Sequence, residues 1–187
     1  LRGLLIALAG VVVDARTFGV PFVFDDVHAI VRNLRIREWS GELLASDRPL
    51  VEVTLALNYA LGGLDVTGYH VLNLALHVAC GWLLFDVARR TFRATGVLPG
   101  RADAAACFAA LLFVVHPLQT ESVTYVISRS ELLMALCYLG TLDLVLLAES
   151  RPSRRSVLWV LAFAVCALGM LAKPVMVPAP LAVGWLA

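Results

Sequence analysis

The sequence predicts an all-α, polytopic membrane protein, and three observations lead to this fold class. Of the 187 residues, 60% are hydrophobic and 16% are charged, whereas a soluble domain is roughly 45–50% apolar and about 25% charged. The mean hydropathy is +0.85, an excess that a core of this size cannot bury. The apolar runs also lack the alternation of barrel strands, so helices are expected to cross the lipid.

About six membrane spans are expected, because a span needs about 20 mainly apolar residues. They are a first run up to about Phe22, then residues 69–87, 102–115, 132–147, 157–172 and a run from 175 onward. Several of these are short, so the helices should extend into flanking polar residues. The sequence begins and ends inside apolar runs, from which we expect a piece of a longer protein.

Arginines predict the orientation of these spans. Residues 89–101 contain four arginines and residues 149–155 contain three, and such segments usually lie on the cytoplasmic side. The segment after Phe22, residues 116–131 and the turn at 173–174 would then share the opposite, outer side. Residues 48–63 are too short and too polar for an ordinary span. An interfacial or re-entrant helix is favoured there over a full crossing.

Two functional classes have little support in the composition. The cysteines stand singly in apolar stretches and form no C-x-x-C pair, so neither a zinc site nor a redox site is indicated; they are Cys80, Cys107, Cys137 and Cys166. The net charge is +1, with no basic cluster that interleaves aromatic residues. Nucleic acid is therefore not an expected partner.

The first group of polar residues that needs an explanation is the pair Asp25 and Asp26, which follows an apolar run. Two neighbouring carboxylates can divide their protonation so that one acts as a base near neutral pH. They can also help to hold a divalent cation, and any metal site in this chain is expected at these two residues. The alternative is a solvated pair in a loop, since an acidic dipeptide alone is a weak signal.

The second group is His70, Asn73 and His77, which share one face of a predicted helix. The two histidines are about 10 Å apart along the axis, too far for one metal ion. A polar seam that hydrogen-bonds to neighbouring helices is the simpler interpretation, with His70 near enough to the outer side to reach a site. Asp143, deep in its apolar run, is interpreted as a structural hydrogen-bonding group.

The third group lies in residues 116–131, which begin with a His-Pro pair and contain Glu121, Arg129 and Glu131. The planar guanidinium of Arg129 suits a phosphate, and Lys173 lies at the same predicted level of the membrane. Charged side chains that extend to the membrane interface are the competing interpretation for both.

The order of these motifs resembles one family, the transmembrane and tetratricopeptide-repeat O-mannosyltransferase-like proteins with their bacterial relatives. The resemblance covers the chain from about Pro21 onward and rests on these stretches: FDDVHAI with Asn33, RPL with Thr54 and Asn58, YHVLNLALH, HPLQTESVTYVISRSELL and LAKP. The family is similar to the wider GT-C class of membrane glycosyltransferases. The resemblance thus implies a GT-C-like helical bundle, with short interfacial helices in an outer-facing first loop over residues 23–68.

The resemblance also implies a chemistry. A lipid-phosphate-linked, mannose-like sugar would be transferred with inversion to a hydroxyl group of a protein serine or threonine, on the periplasmic or lumenal side. Asp25 and Asp26 match the catalytic acidic pair, and Asp26 is favoured as the base because it lies one residue further from the first span. Arg129 and Lys173 would bind the donor phosphate. The expected pocket or supporting residues are His28, Arg48, His70, His116, Glu121 and Glu131.

The sequence departs from the family pattern in two respects. Proline follows Lys173, as in bacterial-type members, so a bacterial inner membrane with a periplasmic site is expected, or an endoplasmic reticulum membrane if the source is eukaryotic. The tetratricopeptide repeats expected downstream have no counterpart within the sequence.

No cofactor other than a possible divalent cation is expected. The alternatives are a lipid or solute transporter and a non-catalytic membrane anchor for a repeat domain.

Overall fold

The computed structural model describes residues 1–186, with side chains to residue 184. The described residues form eight α-helices joined by short 3₁₀ and π turns, and they contain no β-strand. The helices are α1 Arg2–Val13, α2 Pro49–Gly62, α3 Val66–Ala94, α4 Pro99–Val115, α5 Thr120–Thr124, α6 Arg129–Ser150, α7 Arg155–Met170 and α8 Ala179–Leu186. The predicted all-α class is confirmed.

Three segments are long and apolar enough to cross a membrane: Val66–Ala94, Val126–Ser150 and Pro152–Met170. A fourth is possible if Pro99–Val115 and Pro117–Thr124, which meet at a bend of 52°, form one broken span. The expectation of about six spans is therefore not confirmed. Two further apolar helices, Arg2–Val13 and Pro174–Gly184, are shorter.

The long helices extend beyond the apolar runs that predicted them. The run at 69–87 becomes α3, with 29 residues, and the run at 132–147 becomes α6, with 22 residues. In both, the added turns are polar. The side chain of Asp65 caps the start of α3 by accepting a hydrogen bond from the backbone N–H of Thr67 at 3.0 Å.

The helices pack closely where glycines replace larger side chains. A Cβ atom placed on Gly81 would lie 2.5 Å from Val114 Cγ2, and one on Gly169 would lie 2.7 Å from Cys137 Cβ. These contacts draw α3 against α4 and α7 against α6, as small residues do in membrane bundles. The side of α7 that faces away from the bundle is apolar, with Phe163 77% exposed.

The bundle has two distinct ends. One, the arginine end, holds the beginnings of α1, α4 and α7 and the final turns of α3 and α6. The other, the loop end, holds residues 14–65, residues 116–131, which include the first residues of α6, and the turn after α7. At the arginine end Arg2 and Arg93 both bind Asp103, each at 2.6 Å, which fixes the start of α1 beside the end of α3.

Helix α2 belongs to the loop end and has 14 residues, about 21 Å in length. It is too short for a full crossing, in agreement with the favoured interpretation of residues 48–63. Its inner face contributes Val51, Leu55 and Ala56 to a core that also contains Ile30 and Tyr69. The first loop is thus folded onto the bundle around an apolar centre of its own.

Candidate active site

The three segments predicted to share one side of the membrane meet at the loop end. Asp26 of the first loop hydrogen-bonds to residues 126 and 127. The backbone N–H of Leu50 donates to the carbonyl of Leu171 at 3.3 Å, and Lys173 forms an ion pair with Glu131. The first loop, the segment before α6 and the turn after α7 are therefore in direct contact.

Asp26 lies inside this junction, with none of its surface exposed. Its Oδ1 accepts from the N–H of Ile127 at 2.8 Å, and its Oδ2 accepts from the N–H groups of Val126 and Val23, both at 3.4 Å. Burial raises the pKa of this carboxyl, while the three backbone donors and His70 act in the opposite direction. Asp26 holds the first loop to the segment before α6.

Asp25 faces the opposite way and is exposed to solvent. The residue before it, Phe24, has a φ of +48°, in the left-handed region that residues other than glycine seldom adopt. The backbone N–H of Asp25 donates to the hydroxyl oxygen of Tyr125 at 3.1 Å. Because of this turn, the carboxylate of Asp26 is buried and that of Asp25 is exposed.

Asp25 lines an open cavity of about 580 Å³ at the loop end. The walls come from the turn after the acidic pair and from the start of α2. The lining residues are Asp25, His28, Ala29, Asn33, Arg35, Ser46, Asp47, Arg48 and Glu52.

Both signs of charge occur in this cavity. Arg35 and Arg48 are exposed, and among the described residues neither forms a salt bridge. Glu52 is held in place by the side-chain amide of Asn33, which donates to its two oxygens at 3.3 and 3.2 Å. The cavity therefore offers two open carboxylates, Asp25 and Asp47, beside two guanidinium groups with free donors, which can bind a phosphate group of a polar ligand.

Arg129 lies elsewhere and is completely buried. Its Nε donates to Asn73 Oδ1 at 2.8 Å, and its two Nη groups donate to the backbone carbonyls of Thr54 at 3.2 Å and Tyr69 at 3.1 Å. Its guanidinium also lies 5.7 Å from the centre of the Tyr69 ring. Arg129 thus joins α2, α3 and α6, and it does not line the cavity that contains Asp25.

The other residues expected in the pocket also lie outside the cavity. Lys173 and Glu131 pair with each other, so each partly neutralises the other. The exposed His116 uses its Nδ1 to accept from the N–H of Leu118 at 3.2 Å, which caps the turn after α4. Glu121 is exposed in the first turn of α5. Of the expected pocket residues, His28 and Arg48 reach the cavity with Asp25.

The polar face of α3 has the structural role that the spacing indicated. His70 Nε2 is 2.8 Å from the carbonyl oxygen of Val20, and His77 Nε2 is 3.2 Å from that of Val114. The Asn73 amide donates to the carbonyls of Val123 and Val126 at 3.4 and 3.3 Å. Asp143 accepts from Arg90 Nε at 2.7 Å. All these groups join neighbouring segments.

The described part of the chain contains no cluster of side chains that could hold a metal ion. No group of three or more His, Cys, Asp or Glu side chains is arranged to hold one there. The pair Asp25 and Asp26 does not converge on one point, because the oxygens of Asp26 accept backbone N–H groups while Asp25 faces solvent.

Sequence reasoning assigned no site role to five residues of this region: Arg35, Asn33, Asp47 and Glu52 in the cavity, and Tyr125 beside Asp25. Asn33 was one of the residues that carried the family resemblance, and Arg35 is two positions further on, so their proximity was a usable signal. Tyr125 stands in the stretch HPLQTESVTYVISRSELL but lies 100 residues from Asp25, so the local pattern did not link the two. Burial and the nearby carboxylates raise the pKa of Tyr125, opposed by its hydrogen bond from the Asp25 N–H.

Comparisons with known proteins identify several relatives that are named protein O-mannosyl-transferases. The chain is 36% identical over 140 residues to Protein O-mannosyl-transferase Tmtc1 of Drosophila melanogaster, covering 66% of the chain and 15% of that protein. It is 35% identical over 159 residues to Protein O-mannosyl-transferase TMTC4 of Homo sapiens, covering 73% and 22%. It is 33% identical over 169 residues to Protein O-mannosyl-transferase Tmtc3 of Drosophila melanogaster, covering 75% and 18%.

These relatives show that the chain belongs to the family that its sequence resembles, the transmembrane and tetratricopeptide-repeat O-mannosyltransferase-like proteins. The chain spans less than a quarter of the length of each of them. No protein-family model matches the chain, and no solved structure matches it.

Proposed function

We propose that this chain forms part of the membrane domain of a protein O-mannosyl-transferase-like glycosyltransferase of the GT-C class and bacterial type. It transfers a sugar from a lipid-phosphate donor to a hydroxyl group of a protein, on the outer side of a multi-pass membrane domain. The names of the relatives support transfer to a protein acceptor. The observation that carries the proposal is the convergence of Asp25 and Arg48 on one open cavity.

Asp25 is assigned as the base in place of Asp26. A base needs a free oxygen within reach of the proton that it removes, and Asp25 is exposed on the cavity wall. Both oxygens of Asp26 already accept backbone N–H groups. The acceptor hydroxyl oxygen forms a bond to the anomeric carbon of the sugar, its proton passes to Asp25, and the bond from that carbon to the phosphate oxygen breaks on the opposite face.

The departing phosphate is assigned to Arg48, with Arg35 in support, in place of Arg129 and Lys173. Both arginines line the cavity with Asp25, whereas Arg129 donates to three acceptors within the protein and Lys173 is paired with Glu131. A guanidinium can donate two parallel hydrogen bonds to a phosphate. This offsets the negative charge that grows as the bond breaks.

Four variants test the proposal by transfer from a polyprenyl-phosphate-linked sugar to an acceptor protein. Asp25→Asn should reduce kcat/KM by about 10²–10⁴-fold, because a positioned base contributes that much. Arg48→Gln should reduce it by about 10²-fold. The matched controls Glu42→Gln and Arg32→Gln change exposed charges of the same loop outside this cavity and should leave the rate unchanged.

A fifth variant distinguishes the two carboxylates. Asp26→Asn should retain transfer at a measurable rate if Asp25 is the base. Full activity in Asp25→Asn, with the loss confined to Asp26→Asn, would reverse the assignment. Full activity in both Asp25→Asn and Asp26→Asn would show that neither carboxylate is the base, which contradicts the proposed active site.

A further inference from the structure

The arginine end contains a second large cavity, which the proposed function does not use. Its volume is about 570 Å³, and it lies between the final turns of α3 and α6. Three arginines of α3 form one wall, and the end of α6 forms the other. The lining residues are Arg89, Arg90, Arg93, Ala94, Leu146, Glu149 and Ser150.

Each of the three arginines forms an ion pair with a carboxylate that does not itself line the cavity. Arg89 Nη2 donates to Asp86 at 2.6 Å, Arg90 Nε to Asp143 at 2.7 Å, and Arg93 Nη2 to Asp103 at 2.6 Å. A guanidinium has five N–H donors, so each of these bonds leaves most of them available. The carboxylates fix the arginines in place and so reduce the entropy lost when a ligand binds.

The charge at this end favours an anion. Eight arginines and four carboxylates lie there, a formal excess of four positive charges. Glu149 is the one carboxylate among the lining residues, and it is paired with Arg155 at 3.0 Å. The ends of α3 and α6 each contribute about half a negative charge, which is less than the excess of arginines.

The surroundings favour a lipid over a free anion. Leu146 and Ala94 add apolar surface to the lining, and the Arg89 guanidinium lies 5.3 Å from the centre of the Phe85 ring, one turn closer to the middle of α3. A ligand with a phosphate head and acyl chains can use both parts at once. Its head meets the arginines while its chains follow the apolar surface of α3 and α6 toward the middle of the membrane.

We propose that this cavity binds the phosphate headgroup of an anionic phospholipid from the membrane leaflet at the arginine end. The site is independent of the sugar-transfer cavity at the loop end. Arg89 and Arg93 are the main contacts, because Arg90 is the least exposed of the three, at 27%. The lipid would tie the end of α3 to the end of α6.

The test measures how tightly the purified protein in nanodiscs or detergent retains phosphatidylglycerol compared with phosphatidylcholine, by native mass spectrometry. The double variant R89Q/R93Q should weaken retention of phosphatidylglycerol by up to about 25-fold, since each basic side chain at a membrane surface contributes about fivefold. Removal of Arg93 leaves Asp103 paired with Arg2, so this variant should keep its fold, which circular dichroism checks.

Two further variants separate a defined site from general attraction. The control R101Q/R154Q removes the same charge from the same end at arginines that do not line the cavity, and it should lose clearly less affinity. Ser150→Trp fills the mouth of the cavity without a change of charge and should also weaken retention. Glycerol phosphate added in solution should not displace the lipid.

Three outcomes would overturn the proposal. They are equal losses in R89Q/R93Q and R101Q/R154Q, normal retention in Ser150→Trp, and equal retention of the two lipids by the unmodified protein. Efficient displacement by glycerol phosphate would instead identify a soluble phosphate compound as the ligand, which also contradicts a lipid site.

Discussion

The two ends of this bundle differ in the sign of their net charge and in the partners of their charged side chains. The loop end has seven basic and ten acidic side chains, and the arginine end has eight basic and four acidic ones. At the arginine end the ion pairs are partly exposed; Arg89 with Asp86 and Arg155 with Glu149 are local, whereas Arg90 with Asp143 joins α3 to α6. At the loop end Asp26 and Arg129 are fully buried and bind mainly backbone groups.

The difference follows from how the helices are connected. At the arginine end α3 joins α4 through residues 95–98, and α6 joins α7 through residues 151–154. Such short turns leave few backbone groups without partners. The loop end has long irregular segments, and each buried N–H or C=O group there needs a partner. Buried charged side chains provide several hydrogen bonds at once, so Asp26 and Arg129 are used as structural links.

The largest effect expected from this comparison is the loss of Arg129. Arg129→Met keeps the approximate length of the side chain but leaves Asn73 Oδ1 without this donor and removes one hydrogen bond each from the carbonyls of Thr54 and Tyr69. We expect a loss of about 3 kcal/mol in unfolding free energy, because three hydrogen bonds of this buried side chain, of about 1 kcal/mol each, are removed. Thermal or denaturant unfolding in detergent measures it.

The matched control at the arginine end is Arg155→Gln, which breaks a pair whose side chains are 56% and 34% exposed. Such a surface pair contributes less than about 1 kcal/mol. Similar losses of unfolding free energy in Arg129→Met and Arg155→Gln would contradict a larger structural role for the buried charge at the loop end.

An intermediate effect is expected at the packing contact between the two ends. In Gly81→Ala the new Cβ would lie 2.5 Å from Val114 Cγ2 and 3.1 Å from Ile6 Cγ2. The helices must shift apart, at a cost of about 1–3 kcal/mol, which should appear as a lower melting temperature. In the control Gly140→Ala the nearest atom is 3.5 Å away, so little change is expected. Equal stability of the two variants would contradict close packing at Gly81.

The smallest effect concerns pH at the loop end. Burial raises the pKa of Asp26 in the folded protein, so its protonated form is favoured by folding. Its contribution to stability is therefore greatest below the unfolded pKa of about 3.9 and declines as the pH rises through the folded pKa. Asp26→Asn cannot titrate, so its melting temperature should vary less between pH 4 and 7 than that of the unmodified protein. An identical pH profile in both would show that Asp26 titrates normally.

Composition and local patterns were sufficient for the class of fold and for the positions of the main helices. Apolar runs identified α3, α4, α6 and α7, because the length of an apolar run determines whether a helix can cross lipid. The spacing of His70, Asn73 and His77 predicted a polar seam, and their hydrogen bonds confirm it. The expected number of about six spans is not confirmed, since three helices, or four with the bent pair, are long and apolar enough to cross a membrane.

The sequence by itself also determined which segments carry the polar residues of the loop end, since charged groups are excluded from long apolar helices. Which of these residues are open to a ligand was decided by the tertiary structure alone. Asp25 and Asp26 are adjacent and chemically identical, yet the turn at Phe24 leaves one on a cavity and places the other among backbone donors. Likewise, Arg129 and Arg48 differ only in what surrounds them after folding. Burial depends on contacts between residues far apart in the chain, and a local pattern holds no information about those contacts.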